Sequence, residues 1–197
     1  MFDLTVLIKS IGYLGIFAII FSESGLLIGL FFPGDSLLFT AGFLAAQGFF
    51  NIYFLVGICI LGAILGDNFG YRFGYKIGPK IFVKDDSLFF HKGHLERARL
   101  FYEKYGGKTI ILARFVPFVR TFAPILAGVG RMNYATFFIY NIIGSIIWGL
   151  GITLVGYFLG GLVENIDTYL LPLVGVIVLI SMAPIIIEII KYKKSKL

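Results

Sequence analysis

Thr109-Ile110-Ile111-Leu112-Ala113-Arg114-Phe115-Val116-Pro117-Phe118-Val119-Arg120-Thr121-Phe122-Ala123-Pro124-Ile125-Leu126-Ala127-Gly128-Val129-Gly130 decides how this chain folds. The stretch is apolar and about as long as a spanning helix, which needs roughly 20 residues. Yet Arg114, Pro117, Arg120 and Pro124 all fall inside it. Proline breaks a helix interior, and a charge in hydrocarbon costs at least ~2.5–3.5 kcal/mol. One lipid-facing helix would carry both penalties twice. A re-entrant hairpin, which enters the membrane and returns to the same side, avoids them. Broken backbone is tolerated at that depth where protein or a wet cavity surrounds it.

A second stretch reads the same way. Ile11 to Ala46 is too long for one ordinary span and short for two plus a loop. It is interrupted by Phe32-Pro33-Gly34-Asp35-Ser36. Around these hairpins the composition is that of a membrane protein. Of 197 residues, 58% are hydrophobic and 14% charged, against roughly 25% charged in soluble domains, and the mean hydropathy is +0.93. A soluble chain of this size could not hide so much apolar surface, so residues 1–197 are expected to form a single membrane domain. The net charge of +6 lies beside apolar spans, which argues against nucleic acid as a partner. The single Cys59 sits in an apolar run, which excludes an intramolecular disulfide and a cysteine zinc site. No cleavage pattern follows the N-terminal apolar stretch, so the chain is read as mature. Leu4–Phe21 either crosses the membrane or lies in the outer interface.

Three stretches read as plain spans: Ile52–Lys80, Tyr134–Val163 and Tyr169–Ile190, the last with Pro172 and Pro184. An offset of 82 superposes Asn51 on Asn133, Ile60 on Ile142, Gly62 on Gly144, Ile64 on Ile146, Gly74 on Gly156, Tyr75 on Tyr157 and Gly78 on Gly160. Upstream, an offset of 86 places Ala41-Gly42 on Ala127-Gly128. Each half therefore reads as hairpin, then span. Seven Lys/Arg between Lys80 and Lys108, and Lys191, Lys193, Lys194 and Lys196 in the tail, orient both segments to the cytoplasm. The halves then run in opposite senses, as in many secondary transporters. The fold expected is an all-α membrane protein. It is an inverted repeat of re-entrant helical hairpin plus transmembrane helix, with an additional C-terminal transmembrane helix. The first repeat covers about 10–80 with its hairpin at 13–46. A cytoplasmic amphipathic loop covers 81–108. The second repeat covers 109–163 with its hairpin at 109–130, and the last span 167–190.

Scarce charge makes each intramembrane charge a functional candidate. Glu23 lies in hairpin one and Asp35 at its tip. Two carboxylates facing one low-dielectric cavity suit a proton-coupling site, and Asp35 equally suits the cap of the hairpin's second helix. Arg114 and Arg120 are separated by Pro117, whose break can turn both into one cavity. Arginine binds phosphate or carboxylate with a forked geometry. The pair therefore either ion-pairs with Glu23 and Asp35 or binds an anionic headgroup, with Thr121 adding a hydroxyl; Arg114 also lies close enough to Lys108 to snorkel. Asp67 and Asn141 are secondary candidates. Arg72 is badly placed on a helix to pair with Asp67. Gly62, Gly66, Gly70, Gly74 and Gly78 recur every four residues, a close-packing stripe. His91 and His94 lack a carboxylate at helical spacing, and no phosphate loop or nucleophile motif occurs. Neither a metal, a cofactor nor an enzymatic activity is expected.

These residues resemble the DedA family, also called the SNARE-associated or VTT-domain family. The matching segments are Glu23-x-Gly25, Phe32-Pro33-Gly34-Asp35-Ser36-Leu37-Leu38-Phe39-Thr40-Ala41-Gly42 and Gly66-Asp67-x-x-Gly70-Tyr71 to Gly78. They continue with Arg114-Phe115-x-Pro117-x-x-Arg120-Thr121-x-x-Pro124-x-x-Ala127-Gly128, Met132, Asn141, Gly144 and Trp148. The resemblance implies a bacterial inner-membrane protein that moves lipid between leaflets in dependence on the proton-motive force. Its substrate would be a membrane lipid, a polyprenyl phosphate such as undecaprenyl phosphate or a phospholipid. The family's acidic pair matches Glu23 and Asp35, and its arginine pair Arg114 and Arg120. With that resemblance, a polar groove between the hairpins is expected, in which the arginines would hold the headgroup phosphate. The alternatives are a phospholipid flippase or scramblase, a proton-coupled exporter of cations or drugs, and a non-transporting assembly factor. A homo-oligomer is left open.

Overall fold

The computed structural model describes residues 4–26, 34–81, 100, 102 and 104–162, and every element among them is helical. In chain order these are α1 (Leu4–Gly25), α2 (Gly34–Ala46), α3 (Ile52–Ile81), α4 (Lys108–Ala113), α5 (Pro117–Val129) and α6 (Tyr134–Leu162). The expected amphipathic loop lies mostly outside the described residues, as do His91, His94 and the C-terminal span at 167–190.

Two helices, α3 and α6, are long and apolar enough to cross a bilayer. Their starts have one physical cause. Asn51 Oδ1 accepts the N–H groups of Tyr53 and Phe54 at 3.0 and 3.2 Å, and Asn133 Oδ1 accepts that of Thr136 at 3.2 Å. The repeated asparagine is thus an N-cap in both places. Both helices leave large apolar side chains uncovered, including Tyr53, Phe54, Leu61, Ile139, Ile143, Ile147 and Phe158. So broad an apolar surface belongs against lipid.

The remaining helices are short. Backbone at Gly12 (φ 57°, ψ −159°) breaks α1, a conformation that a Cβ would make costly. The apolar parts Gly12–Gly25, Gly34–Ala46 and Val119–Val129 are each below spanning length. α4 ends at Arg114, Val116 is extended, and Pro117 opens α5, as expected of a residue that disfavours helix before it and tolerates a first turn.

α2 packs along α6, α5 along α3, and α1 along α3. Glycine permits each close approach. A Cβ on Gly42 would strike the Thr153 carbonyl, and one on Gly156 the Phe39 carbonyl. Across the molecule, a Cβ on Gly128 would strike the Tyr71 carbonyl, and one on Gly74 the Ile125 carbonyl. Moved by 82 on the long helix and 86 on the short one, the first contact set becomes the second. Buried side chains form two clusters. One gathers Ile16, Ile20, Leu37, Leu38, Leu44, Leu55 and Trp148; the other gathers Tyr71, Tyr102, Ile110, Ala127 and Phe137. The polar centre lies between them.

Candidate functional site

Five charged side chains from five places in the chain meet between the two clusters. Arg120, on the first turn of α5, reaches two carboxylates. One guanidinium nitrogen donates to Asp35 Oδ1 at 2.5 Å and the other to Glu23 Oε1. Glu23 stands near the end of α1 and Asp35 in the first turn of α2. Arg114, at the end of α4, pairs with Asp67 of α3 and donates to Asn141 Oδ1 of α6 at 2.6 Å. Asn141 is itself fixed, donating to the Ile64 carbonyl at 3.2 Å and accepting from Ser145 at 3.2 Å. Glu23, Asp67, Arg114 and Asn141 are buried, so each charge depends on its partners.

Local sequence explains the convergence. The break after α4 frees Arg114 and Arg120 from one helical register. Pro124 has no N–H for the Arg120 carbonyl, which loosens α5 at that turn. Gly34 donates its backbone N–H to Glu23 Oε1 at 3.1 Å, and a Cβ there would collide with the carboxylate. The other oxygen, Glu23 Oε2, is buried with no donor among the described residues.

Several expectations are corrected here. Arg114 does not snorkel: it is 4% exposed, because Asp67 and Asn141 hold it inside. Glu23 and Asp35 both pair with Arg120, whereas Arg114 takes Asp67. The Asp35 carboxylate is engaged by side chains rather than serving as a backbone cap. Thr121 is buried beside Arg120 but bonds to none of the five charges among the described residues. Ser24, Asp67, Ile110, Arg114, Arg120, Ala123 and Pro124 surround a crevice of about 10 Å³, barely the room for one water. Among the described residues no His, Cys, Asp and Glu group has metal-binding geometry.

Trp148 is the member that sequence reasoning passed over. It stands on α6, buried, and its indole N–H donates to Asp35 Oδ1 at 2.8 Å. Both guanidiniums lie near its ring, Arg120 at 5.1 Å and Arg114 at 5.8 Å from the centroid, within cation–π range. The signal was available, since the chain's one tryptophan sits mid-span, and a buried indole N–H needs an acceptor. Trp148→Phe keeps an aromatic face and removes the donor. It is expected to lower unfolding stability by about 1.5 kcal/mol, and by far less in an Asp35→Ala background, which has no acceptor for the indole. Equal losses in both backgrounds would remove this bond from the account.

Residues 32–158 match the VTT domain family. Protein DedA of Escherichia coli (strain K12) is 46% identical over 93% of this chain and 84% of its own length. The chain belongs to the DedA family. Among other relatives of this DedA-family protein, the uncharacterized membrane protein Rv0364 of Mycobacterium tuberculosis (strain ATCC 25618 / H37Rv) is 43% identical over 92% of this chain and 80% of its own. Inner membrane protein YqjA of Escherichia coli (strain K12) is 34% identical over 75% of this chain and 67% of its own. No solved structure matches it. The family match spans Asp35, Asp67, Arg114, Arg120 and Trp148; Glu23 lies upstream of it.

Proposed function

We propose that this DedA-family protein carries an anionic lipid phosphate, undecaprenyl phosphate foremost, between leaflets of the bacterial cytoplasmic membrane in a proton-coupled step. The observation that carries the reading is the buried ion cluster. Three carboxylates face two guanidiniums, so the fully ionised centre has a surplus charge of −1, and one proton neutralises it. Glu23 Oε2, buried without a donor, is the natural seat for that proton. Protonated Glu23 holds Arg120 less strongly. The released guanidinium can then take a headgroup phosphate with forked geometry, while the acyl or prenyl chains stay in lipid. The small crevice requires that the hairpins part to admit it, with α2 and α6 moving against α1, α3 and α5.

In this reading the short helices form two re-entrant hairpins in an inverted repeat, in a multi-pass protein whose C-terminus is cytoplasmic. The two Gly–carbonyl contact sets related by the sequence offsets support it. Reconstitution with labelled undecaprenyl phosphate and a phospholipid control, with and without a proton gradient, tests it. Gradient-dependent movement of the polyprenyl phosphate is expected, and no movement in either condition would reject transport in favour of an assembly role. Glu23→Gln fixes the neutral form, so its transport rate is expected to be independent of the pH gradient; an unchanged gradient dependence would reject Glu23 as the proton site.

The negative surplus also favours a second reading, a proton-coupled exporter of cations in which the carboxylates hold the cargo. Loss of an arginine should spare a cationic cargo and abolish movement of a phosphate.

A further inference from the structure

A second polar site lies apart from the buried cluster and shares no residue with it. The last third of α3 and the turn between α5 and α6 border an open pocket of about 470 Å³. Its wall carries Arg72, Lys76 and Arg131, with Tyr71, Tyr75 and Asn133 between them, and no carboxylate. Among the described residues none of the three cations is paired with an acid, in contrast to Arg114 and Arg120.

The cavity is held in shape. Tyr71 Oη donates to the Met132 carbonyl at 2.5 Å, and Tyr134 Oη to Asn68 Oδ1 at 2.8 Å, so the end of the turn and the start of α6 are tied to α3. Arg131 has φ 52°, the one positive φ outside glycine among the described residues. That conformation is costly for an L-residue and, where it persists, often marks a functional position. It sets the guanidinium 5.4 Å from the Tyr75 ring centroid. Beside the pocket, Phe138 on α6 is exposed and stacks on the lining residue Tyr134 with ring centroids 5.8 Å apart, an apolar flank where a chain attached to a bound headgroup can run.

We propose that this cavity binds the phosphate of an anionic amphiphile at the membrane surface. Three cations, none paired with an acid among the described residues, suit phosphate oxygens, and the exposed Phe138 suits the chain rather than free phosphate. The site is one of binding, and it stands whether or not the buried cluster moves lipid.

The test uses the full chain in phosphatidylcholine nanodiscs and a dodecyl phosphate bearing a photoreactive diazirine beside the phosphate. Labelling is expected on segments 71–76 and 131–134. Arg131→Gly retains a residue suited to the positive φ and removes only the guanidinium; it should weaken saturable labelling about tenfold. Arg72→Ala with Lys76→Ala should weaken it further, in protein that remains monodisperse. Unlabelled dodecyl phosphate should compete, and inorganic phosphate at the same concentration should not. No labelling of 71–76 or 131–134, unchanged labelling of Arg131→Gly, equal labelling by a trimethylammonium-headed probe, or equal competition by inorganic phosphate would each overturn the proposal; added labelling near Arg114 and Arg120 would report the buried cluster and leave this site standing.

Discussion

In the proposed mechanism, Arg120→Ala is expected to lower transport of labelled undecaprenyl phosphate at least about a hundredfold, because one guanidinium serves two carboxylates and would be the headgroup ligand once they let go. Removing one partner of a buried ion pair typically costs about 3–5 kcal/mol, since the remaining charge is left uncompensated. Here two acids, Glu23 and Asp35, lose their shared partner. The variant alone therefore confounds folding with function. Adding Glu23→Gln and Asp35→Asn removes the stranded charges. The triple variant should regain a monodisperse profile and thermal stability near that of the parent while still moving no phosphate lipid. Arg120→Lys tests the geometry, because one compact ammonium lacks the fork that reaches both acids. Full transport by a folded Arg120→Ala protein would end the arginine's role.

Gly74→Leu and Gly156→Leu should each abolish monodisperse protein. At either position even a single Cβ meets a backbone carbonyl, of Ile125 or of Phe39. Backbone cannot swing aside as a side chain can. Overpacking a flexible core costs about 1–3 kcal/mol, and here the whole contact of α3 with α5, or of α2 with α6, must separate. Gly57 and Gly151 are the controls: they lie on the same two helices, and nothing lies within 4 Å of a Cβ built there. Leucine at either should leave size-exclusion profiles and thermal stability close to those of the parent. If Gly74→Leu and Gly156→Leu behave like these controls, the close helix contacts are not what holds the halves together.

The legible part of the site was its membership. Glu23, Asp35, Asp67, Arg114 and Arg120 stood out because hydrocarbon penalises charge, and that penalty depends only on the residue and its apolar neighbours. The pairing was not legible. Arg114 and Asp67 are 47 positions apart and Arg120 and Glu23 are 97, and nothing local distinguishes Arg114–Asp67 from Arg114–Glu23. Trp148 was hidden for the opposite reason: an aromatic residue in an apolar span carries no visible penalty, so its bond to Asp35 emerges only when α6 is laid along α2. The width of the crevice beside Arg114 and Arg120 depends on helix separation, which glycine positions permit without setting.

By itself the sequence determined that this is a helical membrane protein, where the long helices α3 and α6 begin, that the backbone breaks at Pro117, and which charges lie too deep to be casual. Those follow from hydropathy, prolines and the cost of burying charge, all short-range effects. Only the tertiary structure decided which acid each arginine holds and that Arg72, Lys76 and Arg131 line one pocket. Those depend on how α2 and α6, and α3 and α5, close on their glycines, and coulombic and hydrogen-bond partners are chosen by distance in space, which the order of residues does not contain.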